Sequence, residues 1–516
     1  MNRNRFYMGA VRAVALTAAL LAAGHAAWAD APPATAQDWQ AMARADLDAT
    51  HALVLSAHPG SIDELNPAFR EWSETGYRKA QALIPRVISY DSAMSAVRYY
   101  VAGFRDGHFV YSDNARAGYP IYINGWNVER VGADYIVRQN WKNWATPLPP
   151  IGARLIQCDG RQPDAIVRED VMPYFDARDL PAVLDAAAQN MTTLKLSDLT
   201  LKRCSFKTEA GATLDLEVSY HAVTTDEYFD VAAGGSRRAA HPNAYTYKDG
   251  VLWISAGNFS LRPGTADAAE LEALLAALPK LEGVRQIVFD TRGNGGGDSG
   301  VGDRIFNAAT GGFEIPDKDV IAQLPHTYAE WRVSDVSINT TNYAVEHKTQ
   351  LYGAQDDGVR WLQGFARRLA EARAEGRQWV RQDGGYRISA ADFARAHGHL
   401  RRFDGQVALL TDEHCASACL DFADLALRTP GAVHLGQTTS YDSLYLEVGS
   451  ARLPSGNQLF LPMKVWRNRV RGNNQALVPD LPLAVDMRDD DAVHAATLAA
   501  LKSDQKPAST HLDQGH

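Results

Sequence analysis

The stretch that most constrains the fold runs from Gln406 to Arg428 and reads QVALLTDEHCASACLDFADLALR. An apolar run ends in polar residues, small residues then enclose Ser417, and apolar positions return at helical spacing. This pattern predicts a strand, a tight corner and a helix with one buried stripe. A serine at such a corner lies at a helix N-terminus, where backbone N–H groups can face developing negative charge. The alternative interpretation is a serine that only caps the helix.

A β-α-β pattern precedes this stretch between residues 251 and 290. VLWISAG predicts a strand, ADAAELEALLAALPKL an amphipathic helix, and VRQIVFD a continuous apolar strand of the kind found in parallel sheets. The second strand leads into DTRGNGGGD, residues 290–298, where glycines can turn the backbone and point N–H groups into a cleft. The loop lacks the spacing of a phosphate loop, so a nucleotide-binding role has little support.

The first 29 residues have the pattern of an export signal. Three arginines precede an apolar run over residues 13–23, and Ala27-Trp28-Ala29 forms an A-x-A cleavage site. An uncleaved anchor is the alternative, but the apolar run is much shorter than the roughly 20 residues that span a bilayer. We therefore expect a signal peptide over residues 1–29, a periplasmic or secreted protein, and no integral membrane segment after cleavage.

Charge and cysteine content limit the partners and the metal chemistry. Removal of residues 1–29 takes away three basic and no acidic side chains, which leaves 49 Lys and Arg against 61 Asp and Glu. This acidic balance disfavours nucleic acid and anionic lipid as partners. Export would permit disulfides, and Cys158 with Cys204 is the preferred pair, because Cys415 and Cys419 are too close in sequence to clamp much. No C-x-x-C or matching histidine spacing indicates a metal site.

Changes in pattern divide the rest of the chain into four segments. Residues 30–113 are mainly helical, 114–240 are β-rich, 241–502 form an α/β core interrupted by a charged, largely helical insertion at 313–404, and 503–516 form a polar tail. The helical segment ends in FRDGHFV, where a glycine turn presents His108 just before a β-like run. A lone histidine is more often structural than catalytic. The insertion is expected to be a lid or a packing element.

Two motifs in order, VFDTRGNGGG and VALLTDEHCASACLDFADLAL, resemble peptidase family S41, the tail-specific or C-terminal processing proteases. The resemblance implies an α/β multidomain fold with an N-terminal helical cap, a small PDZ-like module in 114–240, and a ClpP/crotonase-like α/β catalytic core with a helical insertion. It also implies a secreted serine endopeptidase that hydrolyses a protein or peptide substrate through an acyl-enzyme on Ser417, without a cofactor.

The resemblance also implies a proton acceptor for the serine. Tail-specific members pair the serine with a lysine about two dozen residues downstream. Here Asp442 lies near that place, and the next lysine is Lys464, in an expected core strand, which argues against a Ser–Lys dyad. Other branches of the family use a histidine from a D-G-H-like turn, which implies His108 as the general base, and imidazole titrates near neutral pH.

The remaining site residues are also carried over from the family. Asn473 aligns with the third catalytic residue, and an amide carbonyl can orient a histidine, while Asp442 is the rival for that role. The backbone N–H groups of Ala418 and of Gly296 or Gly297 are expected to form the oxyanion hole.

A second class of function stays open at this point. The chain could be a non-catalytic peptide- or ligand-binding protein on an S41 peptidase scaffold, since folds persist when catalysis is lost. The missing lysine favours this alternative, while the retained serine, histidine and glycine loop favour an enzyme. The sequence does not indicate an oligomeric state.

Overall fold

A computed structural model describes residues 35–113, 118–142, 144–196, 198–228, 241–262 and 264–502. The expected signal peptide at 1–29 and the polar tail at 503–516 lie outside the described residues. The helices are α1 (Ala36–Ala57), α2 (Pro67–Leu83), α3 (Tyr90–Ala102), α4 (Pro163–Ile166), α5 (Pro181–Gln189), α6 (Ala266–Ala277), α7 (Ser299–Thr310), α8 (Lys318–Ala322), α9 (Asp335–Tyr352), α10 (Asp357–Ala374), α11 (Ala390–Arg395), α12 (Ala418–Leu427) and α13 (Asp490–Lys502).

The strands form two larger sheets of five strands, one of six, and two short pairs. They are β1 (Val110–Ser112), β2 (Ile121–Ile123), β3 (Trp126–Val131), β4 (Asp134–Asn140), β5 (Arg154–Cys158), β6 (Arg203–Lys207), β7 (Thr213–Glu217), β8 (His221–Val223), β9 (Ala244–Lys248), β10 (Val251–Ser255), β11 (Gln286–Asp290), β12 (Phe313–Glu314), β13 (His326–Arg332), β14 (Trp379–Tyr386), β15 (His399–Leu400), β16 (Gln406–Thr411), β17 (Val433–Gly436), β18 (Tyr445–Arg452), β19 (Gln458–Arg467) and β20 (Leu481–Pro482).

The six-stranded sheet confirms the predicted β-α-β unit and places the two sequence motifs side by side. Its order is β20-β17-β16-β11-β10-β9, and every neighbouring pair is parallel except β10 with β9. β11 leads into the glycine loop and β16 leads into the serine corner. Because these two strands are parallel neighbours, with Asp290 opposite Leu410, both loops leave the same edge of the sheet.

The N-terminal region is helical, as predicted. Its three long helices α1, α2 and α3 begin after Thr35, Asn66 and Ser89, and each of these side chains accepts a backbone N–H from the first turn. The helices share one apolar core with residues of the β18–β19 hairpin, among them Leu459 and Leu461. Strand β1, which follows α3, also pairs with β19. The N-terminal helices are therefore fastened to the C-terminal part of the chain.

The β-rich segment contains a five-stranded antiparallel sheet in the order β3-β4-β5-β6-β7. β6 and β7 form a hairpin, with Gly211 at φ 86° in its turn. The preferred disulfide is confirmed: Cys158 of β5 and Cys204 of β6 are opposite each other and bonded. The PDZ-like character of this segment and the bounds of the domains stay predictions.

The insertion at 313–404 is more than the expected run of helices. α9 and α10 confirm the helical part, but β13 and β14, which precede and follow these two helices, form an antiparallel pair that adds to β19 through β13. In β13, Ala329 and Trp331 alternate with more exposed residues, and this period of two is the signal of a strand with one buried face. The insertion therefore extends the sheet that holds β1. No helix within the described ranges is long and apolar enough to cross a membrane.

We expect the loss of the β5–β6 disulfide to lower thermal stability more than the loss of the second disulfide, Cys415–Cys419. The first closes a sequence separation of 46 residues and the second a separation of 4. Chain entropy then predicts a loss of about 2–4 kcal/mol for Cys158→Ser with Cys204→Ser, and less for Cys415→Ser with Cys419→Ser. Calorimetric melting of both double variants measures the difference. A larger loss for the short-range pair would contradict this expectation.

Candidate functional site

Ser417 occupies a strained backbone conformation at the start of α12. Its φ is 54° and its ψ is −120°, a region that residues with a side chain rarely adopt. Its side chain makes no capping hydrogen bond to the helix and is partly exposed. Strain of this kind persists only where the surroundings impose it, and it is common in active sites. The interpretation of Ser417 as a plain helix cap is therefore wrong.

A disulfide encloses the serine corner. Cys415 and Cys419 are bonded to each other across Ser417, and both are fully buried. They pack against Leu420 and Leu477. So short a loop joins no distant elements, but it limits the movement of the corner in which Ser417 lies.

The glycine loop is fixed at its base by buried polar contacts. Arg292 donates to both carboxylate oxygens of Asp290 at 2.8 and 2.6 Å. Asn294 donates to the carbonyl of Ala256 at 2.6 Å. The loop also binds the serine corner directly, because the N–H of Gly293 donates to Asp412 at 2.9 Å. The two motifs recognised in the sequence are therefore in contact.

Gly296 packs the glycine loop against the corner that holds Ser417. With φ at 98°, a Cβ on this residue would lie 2.7 Å from the carbonyl oxygen of Ala416 and 2.9 Å from Cβ of Ser417. Its N–H donates to Oδ1 of Asn294 at 2.8 Å and is thus already used. Of the donors predicted for an oxyanion hole, this leaves the N–H groups of Gly297 and Ala418.

His108 lies in a turn that joins α3 to β1. Oδ1 of Asp106 accepts the backbone N–H of His108 at 3.0 Å and the hydroxyl of Ser443 at 2.7 Å. Nδ1 of the His108 ring is 3.9 Å from the same oxygen, and the side chain is largely buried. Among the described residues, no hydrogen bond joins the ring to Ser417.

A single loop contacts both the histidine turn and the serine corner. The N–H of Ser440 donates to the carbonyl of Cys415 at 3.1 Å, and Ser443 donates to Asp106 as described above. Asn474 adds a contact to the turn, because its side chain donates to the carbonyl of Arg105 at 3.2 Å. The structure therefore brings the region of His108 to the region of Ser417 through residues 440–443.

The two candidates for the third catalytic residue have other partners. Oδ1 of Asn473 accepts the N–H of Leu444 at 3.0 Å. Asp442 is buried and pairs with two arginines, Arg469 and Arg471. The role assigned to Asn473 stays a prediction. The carboxylate beside the His108 ring is Asp106, which sequence reasoning missed although it belongs to the same D-G-H motif.

Arg471 ties the serine helix to the loop that carries Asp442. Its buried guanidinium donates to Asp424 at 3.0 Å and to Asp421 at 3.2 Å, both on α12, and also pairs with Asp442. Burial favours a lower pKa for Arg471, but the attraction of these carboxylates outweighs it and raises the pKa. Burial also raises the pKa of Asp424. The orientation of α12 thus depends on this cluster.

A cavity of about 600 Å³ lies beside the glycine loop and is partly lined by the insertion. Lys348 of α9 contacts Asp298, the residue that ends the loop, at 2.8 Å. On the other side, Lys464 contacts Glu447 at 3.0 Å and lies over the ring of Trp331. The nearby ammonium of Lys464 lowers the pKa of Glu447. Lys464 is therefore held by these partners.

No candidate metal centre is found within the described ranges. No three His, Cys, Asp or Glu side chains lie together in a way that could hold an ion there.

We expect Gly296→Ala to destabilise the protein and Gly295→Ala to change it little. A methyl at 296 would collide with the serine corner, and overpacking of this kind costs typically about 1–3 kcal/mol. A Cβ at 295 meets nothing within 4 Å, which makes this variant the matched control. Thermal melting of both variants is the measurement. Equal melting temperatures would show that the loop is not held against Ser417.

Replacement of Arg471 should be far more costly than replacement of an exposed arginine. Arg471→Leu removes the cation that Asp421, Asp424 and the buried Asp442 share, and leaves Asp442 with Arg469 alone. Loss of one partner of a buried ion pair costs on the order of 3–5 kcal/mol. Arg488 forms an exposed pair with Asp486, so Arg488→Leu should cost less than about 1 kcal/mol. Denaturant unfolding followed by tryptophan fluorescence compares the two. Similar midpoints would mean that the Arg471 cluster does not hold the helix.

Comparison with known proteins agrees with this geometry. Residues 254–483 match the model of Peptidase family S41. The fold is similar to the crystal structure of mature CPAF, with a TM-score of 0.57 at 13% identity, over 89% of this chain and 96% of that chain. The structure of mature CPAF complexed with lactacystin gives the same TM-score and identity, over 89% of this chain and 98% of that chain.

At identities this low, the structural similarity supports the fold alone. No curated protein sequence matches the chain. The matched region contains both the glycine loop and Ser417, the two features whose contact was described above. Over residues 254–483, which make up less than half of the chain, the protein is similar to peptidase family S41.

Proposed function

We propose that this chain is an exported serine endopeptidase that cleaves proteins or peptides through an acyl-enzyme on Ser417. The observation that carries the proposal is the strained, partly exposed Ser417 at the start of α12, with Gly296 packed against it. A catalytic nucleophile needs its hydroxyl free of structural hydrogen bonds, and this hydroxyl does not cap its helix.

The reaction would proceed in two halves. Oγ of Ser417 attacks the scissile carbonyl carbon while the ring of His108 accepts the hydroxyl proton. The negative charge on the carbonyl oxygen is stabilised by the N–H groups of Ala418 and Gly297, and one such donor is typically worth roughly 3 kcal/mol in the transition state. The leaving amine takes the proton from His108. Water, deprotonated by the same ring, then attacks the acyl carbon, the bond to Oγ of Ser417 breaks, and the ring returns the proton to Oγ.

Export is part of the proposal. The A-x-A site after an apolar run supports it, and so do the two disulfides, since such bonds persist in oxidising compartments.

The rival is a binding protein on the same scaffold. One observation favours it: within the part of the chain that the structure describes, Ser417 and His108 share no hydrogen bond. This observation has limited weight, because catalytic hydrogen bonds are often long in the absence of substrate and shorten when it binds.

The test uses a fluorophosphonate probe, which reacts with activated serines. We expect labelling of the native protein at Ser417, none in Ser417→Ala, and labelling at least about 100-fold slower in His108→Gln, because the general base typically contributes 10²–10⁴ in rate. Peptide hydrolysis measured on the same samples should fall in parallel. Arg488→Leu serves as a folded control with native labelling.

Two results would contradict the proposal. Labelling that is unchanged in His108→Gln would exclude this histidine as the base. No labelling and no hydrolysis by the native protein, together with tight binding of a peptide, would favour the rival function.

A further inference from the structure

We propose that Asp106 is the residue that orients His108, and that the buried His58 holds the carboxylate of Asp106 in position. This inference rests on the proposed function, because His108 is the base only if the chain is a peptidase of this type. In serine hydrolases a carboxylate commonly binds Nδ1–H of the catalytic histidine, so that Nε2 is free to accept the proton of the serine. Among the described residues, no hydrogen bond or ion pair joins the His108 ring to Asn473 or Asp442, whereas Oδ1 of Asp106 lies 3.9 Å from Nδ1 of that ring.

The main observation is a group of three buried polar atoms without hydrogen bonds among the described residues. They are Nε2 of His58, Oδ2 of Asp106 and Nδ1 of His108. Nε2 of His58 is 3.6 Å from Oδ2 of Asp106, and Nδ1 of His108 is 3.9 Å from Oδ1. A buried polar atom without a partner is costly. Because the two ring nitrogens face the same carboxyl group, small rotations would form both missing hydrogen bonds.

The protonation of His58 follows from its other ring nitrogen. Nδ1 of His58 accepts the N–H of Gly60 at 3.0 Å, so the ring proton lies on Nε2 and faces Asp106. Complete burial lowers the pKa of His58, which keeps the ring neutral. The ring also stacks on Phe69 with 4.4 Å between centroids. His58 is therefore a fixed, neutral donor.

The ionisation of Asp106 makes it a hydrogen-bond acceptor for the His108 ring. Burial favours a higher pKa for Asp106, but the adjacent ring of His58, the ring of His108 and the hydroxyl of Ser443 outweigh burial and lower the pKa. The carboxylate is thus negatively charged at neutral pH. This is the charge that an imidazolium at His108 needs when it has taken the proton from Ser417, and an amide such as Asn473 could not supply it.

Other charged groups near this cluster have partners of their own. Arg178 lies over Gly107 and pairs with Asp176 at 2.6 Å. Asp63, on the other side of His58, pairs with Arg467 at 2.7 Å and accepts the hydroxyl of Tyr445 at 2.8 Å. His58 and His108 are thus the titratable rings that face Asp106, with Arg178 as the nearby permanent cation.

The test compares Asp106→Asn with Asp63→Asn. Both replace a buried carboxylate in the same neighbourhood, but only Asp106 lies beside His108. The first readout is the titration of the His108 ring by NMR in protein carrying ¹³C- and ¹⁵N-labelled histidine, with the signal assigned by its absence in His108→Gln. Without the negative charge the ring binds a proton less readily, so the midpoint should move to lower pH in Asp106→Asn, by about one pH unit or more. Asp63→Asn should leave it unchanged.

The second readout is the pH profile of peptide hydrolysis. For Asp106→Asn we expect kcat lower by about 10²–10⁴, KM nearly unchanged, and an acidic limb at lower pH. A merely structural loss would lower the melting temperature of both variants and leave the limb in place. An unchanged His108 midpoint with an unchanged acidic limb in a folded Asp106→Asn would overturn the inference.

A third variant covers the case in which Asp106→Asn does not fold. In His58→Asn the shorter amide can still accept the N–H of Gly60, but it no longer reaches Asp106. We expect kcat to fall by about tenfold with KM unchanged, and native activity would contradict the role of His58. The outcomes also separate the two proposals. If the native protein neither labels nor hydrolyses, the peptidase proposal fails, and the NMR midpoints still decide whether Asp106 is coupled to His108.

Discussion

The parallel pairing of β11 with β16 is the interaction on which the arrangement of the site depends. It joins segments separated in sequence by more than a hundred residues, with Gln286 opposite Gln406 and Asp290 opposite Leu410. The pairing continues one step beyond β11, where Thr291 donates to the carbonyl of Leu410 at 2.9 Å. Because the carboxyl ends of the two strands lie side by side, the pairing of the strands places the glycine loop next to the strained Ser417.

Much of this core could be predicted because its signals are local. Hydrophobic periodicity identified β10, α6, β11, β16 and α12, and the glycines marked the turn. The position of His108 was a different problem. It depends on β1 pairing with β19 at the other end of the chain, and no local pattern encodes a contact of that range. Likewise, β13 and β14 flank two helices with strong periodic patterns, so the insertion was expected to be mostly helical.

The residue that orients the histidine could not be settled by motif position. Alignment with the family pointed to Asn473, yet its side chain is turned to the backbone of Leu444. Asp106 was visible in the D-G-H motif from the start. What the sequence could not show is that His58, from a separate helical segment, lies against the same carboxylate. This cluster forms by packing of the N-terminal helices, so no fixed spacing of residues in the sequence predicts it.

The conformation of Ser417 has a consequence for the balance between stability and activity. A backbone with φ of 54° and ψ of −120° suits glycine, and for other residues such strain costs of order 1–3 kcal/mol. Glycine at this position would relieve the strain, so the protein loses stability by keeping a side chain here. The buried disulfide and the contacts of the glycine loop hold Ser417 in a backbone conformation that glycine would adopt without strain.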